Sequence, residues 1–319
     1  MKYLRLALSA LSGIPVALLY GAVVRYVFGI PGVSNFLTTM TCGFLFVVPI
    51  AMGALTVRFA PKEYRSNTGF CIFMPWVSVA VVALGAMLLE VEAMICIVMA
   101  LPLFVVFSSL GGMWARDRNG SNQTVQNNML LIVLVAPYLI TPLESRVPEF
   151  DSYRLVENQI TIHASVDRVW ENIVSVPYIR PEEQGFSVFH LLGVPKPLEA
   201  TLSHQGIGGV RNASFESGLS FVETVTKWEE KRSLSFSIVP DKQPNLPKPF
   251  DQIGGKYFDI LNGTYWIEPV GEDTVILHLS SEHRLSTHFN AYGGLWTDYV
   301  MSDLQMYILR IIRTRAETQ

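Results

Sequence analysis

Five stretches in the first 143 residues are apolar and hold no Asp, Glu, Lys, Arg or His: 6–24, 38–57, 70–89, 93–110 and 129–143. A helix crosses a bilayer with about 20 such residues. A secretory signal has only one apolar region, so five in succession specify a permanent multi-pass segment. The fifth stretch is short and reaches span length only by recruiting Val125, Gln126, Asn127 and Asn128. The expected architecture for residues 1–145 is therefore an all-α multi-pass transmembrane bundle of about five helices.

The charge of the chain belongs elsewhere. Only 16% of its 319 residues are charged, against about a quarter in soluble proteins. Residues 1–149 hold nine Lys/Arg and six Asp/Glu, whereas residues 150–319 hold fifteen and twenty-one. The second part has a near-normal soluble composition and an acidic balance. That balance, with no basic stripe, argues against a nucleic-acid partner.

The few cations of the first part are informative. Lys2 and Arg5 precede the first stretch, Arg58, Lys62 and Arg65 follow the second, and Arg116 and Arg118 follow the fourth. The intervening loops carry Arg25, Glu90 and Glu92. Positive residues collect on the cytoplasmic side, which predicts a cytoplasmic N-terminus and, after five crossings, an extracytoplasmic C-terminal domain. Each stretch contains a proline (Pro15, Pro49, Pro75, Pro102 and Pro137), ordinary in membrane helices. Because no ionisable group lies at depth, an ion or proton pathway is not indicated. The three cysteines, Cys42, Cys71 and Cys96, all fall in apolar stretches and read as small packing residues.

After the linker 141–150, with its two prolines, the periodicity changes. Residues 155–162 read as a strand, and Ser165 is placed to cap a helix carrying Val166, Val169, Trp170, Ile173 and Val174, which Pro177 ends. Strand patterns then follow at 198–202, 210–216, 219–228, 234–238, 257–267 and 274–285, separated by glycine or charged turns. A loop rich in proline (Pro240, Pro244, Pro247 and Pro249) interrupts them. On the last strand Val275, Leu277 and Leu279 share one face with His283. His278, Ser280, Glu282 and Arg284 take the other. Residues 291–315 turn helical. Tyr292, Trp296, Val300, Leu304, Tyr307 and Ile311 form a broad apolar face with Leu295, Tyr299 and Ile308 beside it, and Asp298, Ser302 and Gln305 mark the expected wet side.

This order resembles the START-like, or SRPBCC, superfamily, through ITIHASVDRVWENIVSV at 160–176, GGVRNASFESGLSFVETVTKWEEKRSLSFSI at 208–238 and the terminal helix with Trp296. The resemblance covers about residues 153–315. It implies an α+β helix-grip domain over 150–319, an antiparallel sheet wrapped around a long C-terminal helix. That superfamily includes ligand carriers, polyketide cyclases, hydroxylases and regulators, and no diagnostic motif of one branch is present. The cysteine ligands of the iron–sulfur hydroxylase branch are absent from the domain.

The expected function is a membrane-tethered domain binding a lipid-like or other hydrophobic small molecule near the bilayer. The alternatives are a cyclase-type enzyme acting on an apolar substrate and a non-catalytic structural or regulatory protein. Candidate ligand-binding residues are Phe215, Phe221, Phe236, Tyr257, Trp266, His283, Arg284, His288, Trp296 and Tyr299. Glu282, His283, Arg284, Thr287, His288 and Asn290 cluster at the exit of the last strand. Two histidines and a carboxylate could bind a metal or move protons, but the plainer reading is a polar rim that hydrogen-bonds the loop and caps the last helix, with a polar anchor for a ligand next. Arg211 reads as a sheet-surface charge or an anchor for a ligand carboxylate. Asp259 sits among aromatics, and His163, His190 and His204 read as isolated. No catalytic residue, metal or cofactor is assigned.

Overall fold

A computed structural model of the chain describes residues 11–30, 41–117, 123–241, 246 and 249–318. Lys2, Arg5, Arg118, Pro244, Pro247 and the openings of the first two apolar stretches lie outside the described residues. The chain divides into two compact units, Met1–Glu149 and Phe150–Gln319.

The first unit is helical. A 3₁₀ turn, Leu11–Gly13, leads into α1 (Ile14–Phe28), and a π-helical turn, Gly43–Val47, leads into α2 (Val48–Arg58). Pro49 has no N–H to give the Leu45 carbonyl, and its ring crowds that turn, which accounts for the widening. Then come the short α3 (Lys62–Arg65), α4 (Thr68–Leu88), α5 (Met94–Trp114) and α6 (Gln123–Glu144).

Four stretches among the described residues, not five, have the length and composition of a membrane span: Leu11–Phe28, Thr68–Leu88, Met94–Trp114 and Asn127–Glu144. The second apolar stretch gives the shorter helix Gly43–Arg58. The weak fifth stretch, by contrast, is part of a 22-residue helix. Within its polar opening, Asn127 Oδ1 accepts from Arg58 Nε and Nη2 at 3.1 and 2.8 Å.

Helix α2 is the centre of this unit, with every residue from Val48 to Val57 except Ile50 buried. Close approach depends on reciprocal glycines. A Cβ on Gly53 would lie 1.8 Å from the Ser108 carbonyl oxygen of α5, and one on Gly111 of α5 would lie 2.0 Å from the Ile50 carbonyl oxygen. Small residues at helix contacts, with hydroxyls bridging them, are the packing mode of helices in lipid. Thr56 Oγ1 donates to the Met52 carbonyl and lies 2.8 Å from Ser78 Oγ, both hydroxyls buried.

The second unit is a seven-stranded antiparallel sheet in the order β1-β7-β6-β5-β4-β3-β2. Its strands are β1 (Phe150–Ile162), β2 (Pro197–Leu202), β3 (Val210–Phe215), β4 (Ser220–Glu229), β5 (Ser233–Asp241), β6 (Phe258–Gly271) and β7 (Thr274–Thr287). Helices α7 (Val166–Val174) and α8 (Val188–Leu191) lie between β1 and β2, and α9 (Asn290–Thr318) closes the chain. Ser165 is the N-cap of α7 with an extended backbone, but its side chain makes no capping bond. The sheet with its single long helix matches a helix-grip fold. All the strands expected from the alternation are present, and β1 begins five residues earlier than the pattern predicts.

The sheet is filled unevenly from end to end. Towards the end where β1 finishes and β7 begins, Ile162, Ile173, Leu234, Leu277, Leu309 and Ile312 form a closed apolar core. At the other end, where β1 begins and β7 finishes, the inward-facing Phe215, Ile238 and Ile260 pack on a second apolar cluster of Ala213, Leu219 and Phe221, and with Phe258 they keep partial exposure among the described residues. Helix α9 runs chiefly over β1 and β7.

Candidate functional site

The site is built where α9 starts, and there the helix turns towards the sheet the residues expected on its wet side, while Tyr307 and Ile311 of the expected apolar face are buried further along. Asp298, Ser302 and Gln305, the expected wet side, point at the sheet. Arg154 of β1 forms a two-pronged ion pair with Asp298. Ser302 Oγ donates to Asn158 Oδ1 at 3.1 Å, and Asn158 Nδ2 donates to Gln305 Oε1 at 2.8 Å. Gln305 Nε2, itself 2% exposed, donates to Ser281 Oγ at 2.7 Å and to the Val156 carbonyl at 3.1 Å. Meanwhile Leu295 and Tyr299 are 66% and 60% exposed. The physical reason lies in β1 and β7. Their inward positions include Arg154, Asn158, Ser281 and His283, and buried polar groups must be paired, so the polar stripe of the helix turns to meet them. Gly294 makes room, since a Cβ there would sit 2.7 Å from the Arg154 guanidinium.

His283 is the most informative group. As its parity on β7 predicts, it faces inward, and it is wholly buried. Its Nε2 lies 3.0 Å from Thr297 Oγ1 and 3.6 Å from Asp298 Oδ1. Thr297 Oγ1 donates its own hydrogen to the Gly294 carbonyl at 3.2 Å, so its oxygen accepts and Nε2 carries the proton. The bare lone pair therefore sits on Nδ1, which is buried without a hydrogen-bond partner, the ring lying 5.5 Å from that of Phe258. Burial lowers the pKa of His283, the Asp298 charge opposes this and the Arg154 charge adds to it. The ring is thus neutral at pH 7, a hydrogen-bond acceptor in an apolar setting.

A second buried polar group lies deeper. Arg211, expected at a sheet surface or free for a ligand carboxylate, is instead 4% exposed and committed. Its Nε donates to Glu223 Oε2, its Nη1 donates to the Ile173 carbonyl at 2.7 Å, and its guanidinium lies 4.0 Å from the centre of the Phe236 ring. Arg211 ties the end of α7 to the sheet. Tyr265 closes the cluster, its phenol pushed up by burial.

The other candidates separate by face. Phe215 and Phe221 meet edge to face at 5.5 Å on the inward side, with Phe236 beneath Arg211. Trp296 is partly buried on α9, its ring 6.5 Å from Tyr292. Trp266 and Arg284 do not join them, because alternation puts both on the outer face. There Trp266 stacks on His278 at 4.4 Å, and Arg284 donates to the Gly255 and Lys256 carbonyls, holding the loop before β6. Tyr257 lies in that loop under the Lys256 ammonium. Tyr299 faces outward against Phe189. His288 sits partly buried in the turn before α9.

Of the cluster at the exit of β7, Glu282 accepts from Asn262 on the outer face, while Asn290 Oδ1 accepts from Thr287 N and Oγ1, each at 2.8 Å. These groups do not converge with His283, and no metal-binding group of three or more His, Cys, Asp or Glu occurs among the described residues. Asp259 has one buried oxygen without a hydrogen bond. His163 and His204 are exposed, but His190 is not isolated, its ring lying 4.5 Å from that of Tyr307.

Glu223, Tyr265, Arg154, Asp298, Thr297, Asn158, Ser281 and Gln305 are absent from the residues expected at the site. A signal existed for several: Glu223 lies between Phe221 and Val225 at period two, and Asn158 lies between Val156 and Ile160, each a polar residue on an inward face.

No family model matches the chain, and no curated protein matches it. Solved structures similar to it include a START superfamily protein from Mycobacterium smegmatis, 12% identical over 51% of this chain and 97% of that one, with a TM-score of 0.36. The Zhui aromatase/cyclase from Streptomyces sp. R1128 is 13% identical over 52% of this chain and 94% of that one, TM-score 0.34. A truncated norcoclaurine synthase from Thalictrum flavum is 13% identical over 51% and 94%, TM-score 0.31.

Proposed function

We propose that the chain is a membrane-tethered helix-grip domain that takes up a lipid-like or otherwise apolar small molecule carrying one hydrogen-bond donor. The observation that carries this reading is the apolar, partly exposed end of the sheet. Phe215, Ile238, Phe258 and Ile260 face inward yet stay partly exposed, and beside them lies a neutral histidine with an unpaired acceptor. Apolar walls with a few placed polar groups are what small-molecule sites are made of. A ligand hydroxyl or amide N–H would satisfy His283 Nδ1. Native mass spectrometry of the full chain, stripped of its micelle, tests this. An apolar adduct is expected on the wild type and not on Ile260→Trp. No adduct, or the same adducts on both, overturns the reading.

The bare nitrogen of His283 also favours a second reading, a cyclase-type reaction in which it accepts a proton from an apolar substrate. In that case the recovered ligand changes mass or absorbance on incubation with wild-type protein and not with His283→Gln.

The tether reading rests on the first unit. Its candidate spans turn Leu84, Leu88, Leu101, Val106, Leu131 and Ile132 outward, an apolar surface that suits lipid. Although short, Gly43–Arg58 supports a fifth crossing. Arg58 bonds to Asn127 at one end of α6, and the Cys42 and Gly43 amides bond to Glu144 at the other. Sixteen residues make about 24 Å of helix. Arg58, Lys62, Arg65 and Arg116 gather at one end of the unit, with Asp117 N bonded to the Arg65 carbonyl, and Arg25, Glu92 and Glu144 lie at the other. The basic end is the cytoplasmic one by the usual bias, and the C-terminal domain is then extracytoplasmic. A phosphatase fused after Gln319, active only outside the cytoplasm, checks that side. Inactivity with normal expression reverses the assignment.

A further inference from the structure

The two ends of the helix-grip domain differ in surface chemistry. At the far end, the turn Glu229-Glu230-Lys231-Arg232 and the turn at Glu272 and Asp273 are exposed and charged. At the end where the domain begins, Asp151, Glu216, Asp241 and Lys256 are exposed as well, but α8 and the first turns of α9 expose apolar side chains there, Val188, Leu191, Leu295 and Tyr299, with Phe150 at the start of β1. Residues 184–195 and 289–297 contain no Asp, Glu, Lys or Arg. The patch is continuous across α8 and α9, because Phe189 packs on Tyr299 at 5.2 Å and Ser187 hydrogen-bonds Asp303 one turn further on.

This patch adjoins the point where the chain enters the domain. Asn290 Nδ2 donates to the Phe150 carbonyl at 2.5 Å. From Asn290, Leu295 and Tyr299 are only about 7.5 and 13.5 Å along the helix. Between Glu144, the last residue of α6, and Phe150 there are six residue steps, at most about 22 Å of extended chain. A domain on so short a leash stays near any bilayer that α6 crosses, and although Glu149 and Asp151 flank the attachment, α8 and residues 289–297 contain no Asp, Glu, Lys or Arg and are leucine-rich and aromatic. Tyr and Leu without charge suit the boundary between headgroups and acyl chains.

We infer that this end of the domain, through Val188 and Leu191 of α8 and Leu295 and Tyr299 of α9, docks into the headgroup layer of the bilayer, so that the partly exposed apolar end of the sheet faces lipid. The ligand then arrives from the membrane phase rather than from water. This rests on the tether reading above, and the test separates the two.

The full wild-type chain is reconstituted into phosphatidylcholine vesicles doped with a phosphatidylcholine that carries a diazirine high on its acyl chain. After irradiation, attached lipid is mapped by peptide mass spectrometry. Attachment is expected at Leu131 and Ile132 of α6, at Val188 to Leu191 and at Leu295 to Tyr299. None is expected at Ile207 or Val270, which are exposed apolar residues at the far end. The double variant Leu191→Glu/Leu295→Glu, both changes at exposed positions, should lose attachment in the domain and keep it in α6. Attachment in α6 with none in α8 or α9 overturns the docking and leaves the tether standing. No attachment in α6 overturns the tether. Domain attachment unchanged in the double variant, or equal at Ile207, also overturns the docking, as does crosslinking between copies through these same residues.

Discussion

Helices α5 and α9 each depart from the pattern of a soluble amphipathic helix, in different directions. α5 turns Ser108, Gly111 and Gly112 inward and Leu101, Val106, Leu110 and Trp114 outward. Its apolar residues have no need to hide, and its small residues let α2 come close. α9 turns Gln305, Thr297 and Asp298 towards the sheet and Leu295 and Tyr299 away from it. Here the inner face is polar because the strands beneath it are polar. In α5 and at the start of α9, though not at the buried Tyr307, Leu309, Ile311 and Ile312 further along, hydrophobicity alone misassigns the buried side. What decides burial is the chemistry of the facing surface: the close backbone of α2 for α5, a row of buried hydrogen-bonding groups for the start of α9.

If backbone proximity holds the helical unit together, the largest effect comes from filling its closest contact. Gly53→Leu places carbon where the Ser108 carbonyl oxygen lies 1.8 Å from an ideal Cβ, and main chain cannot step aside as a side chain can. The loss should exceed the roughly 1–3 kcal/mol of ordinary overpacking. Aggregation or loss of the purified monomer in detergent is the expected outcome. A variant that purifies normally, with unchanged thermal unfolding, would break the comparison on the helical side.

The domain depends instead on buried polar pairing. Removing Glu223 leaves the Arg211 guanidinium buried without its carboxylate, a change that costs about 3–5 kcal/mol in comparable buried pairs. Glu223→Ala should therefore lower the unfolding temperature of the full chain sharply. Arg211→Leu/Glu223→Leu, which removes both charges, should recover much of the loss. Should the double variant be no better than the single one, the pair is not an isolated electrostatic unit and Arg211 matters through its bond to Ile173.

Gln305→Leu is the corresponding test of the polar face of α9. It strips three hydrogen bonds, to Asn158, Ser281 and Val156, and leaves buried partners unpaired at about 1–3 kcal/mol. A gain in stability on this apolar replacement, read by thermal unfolding, would mean that α9 can rotate to the face its sequence suggests.

Much of this was legible from residue patterns, and the failures have physical causes. The strands and the inward direction of His283 followed from period two, since turns and bulges leave the parity of β7 intact. The second apolar stretch is described only as the helix Gly43–Arg58, its opening lying outside the described residues, whereas the fifth is part of a 22-residue helix whose Asn127 bonds Arg58, a partner that hydropathy does not see. Arg211 was misplaced because a charge on a strand is ordinarily solvated. Its burial needs Glu223 on the neighbouring strand and a carbonyl from α7, and the pairing of β3 with β4 is a tertiary fact. Trp266 and Arg284 were grouped with the site by chemistry although parity put them on the outer face.

The smallest expected effect is the most discriminating for α9. Leu295 is a large apolar side chain on a helix that packs against a sheet, and by hydrophobicity it belongs inside. It is 66% exposed, and exposed substitutions away from special features change stability by less than about 0.5 kcal/mol. Leu295→Ser should leave the unfolding temperature of the detergent-solubilised chain almost unchanged, whereas Leu309→Ser, at a fully buried position on the same helix, should lower it substantially. Equal losses would show that Leu295 packs against protein and that α9 is not inverted at its start. A negligible loss in detergent together with weaker lipid attachment in vesicles would identify the leucine as a contact made for the bilayer rather than for the fold.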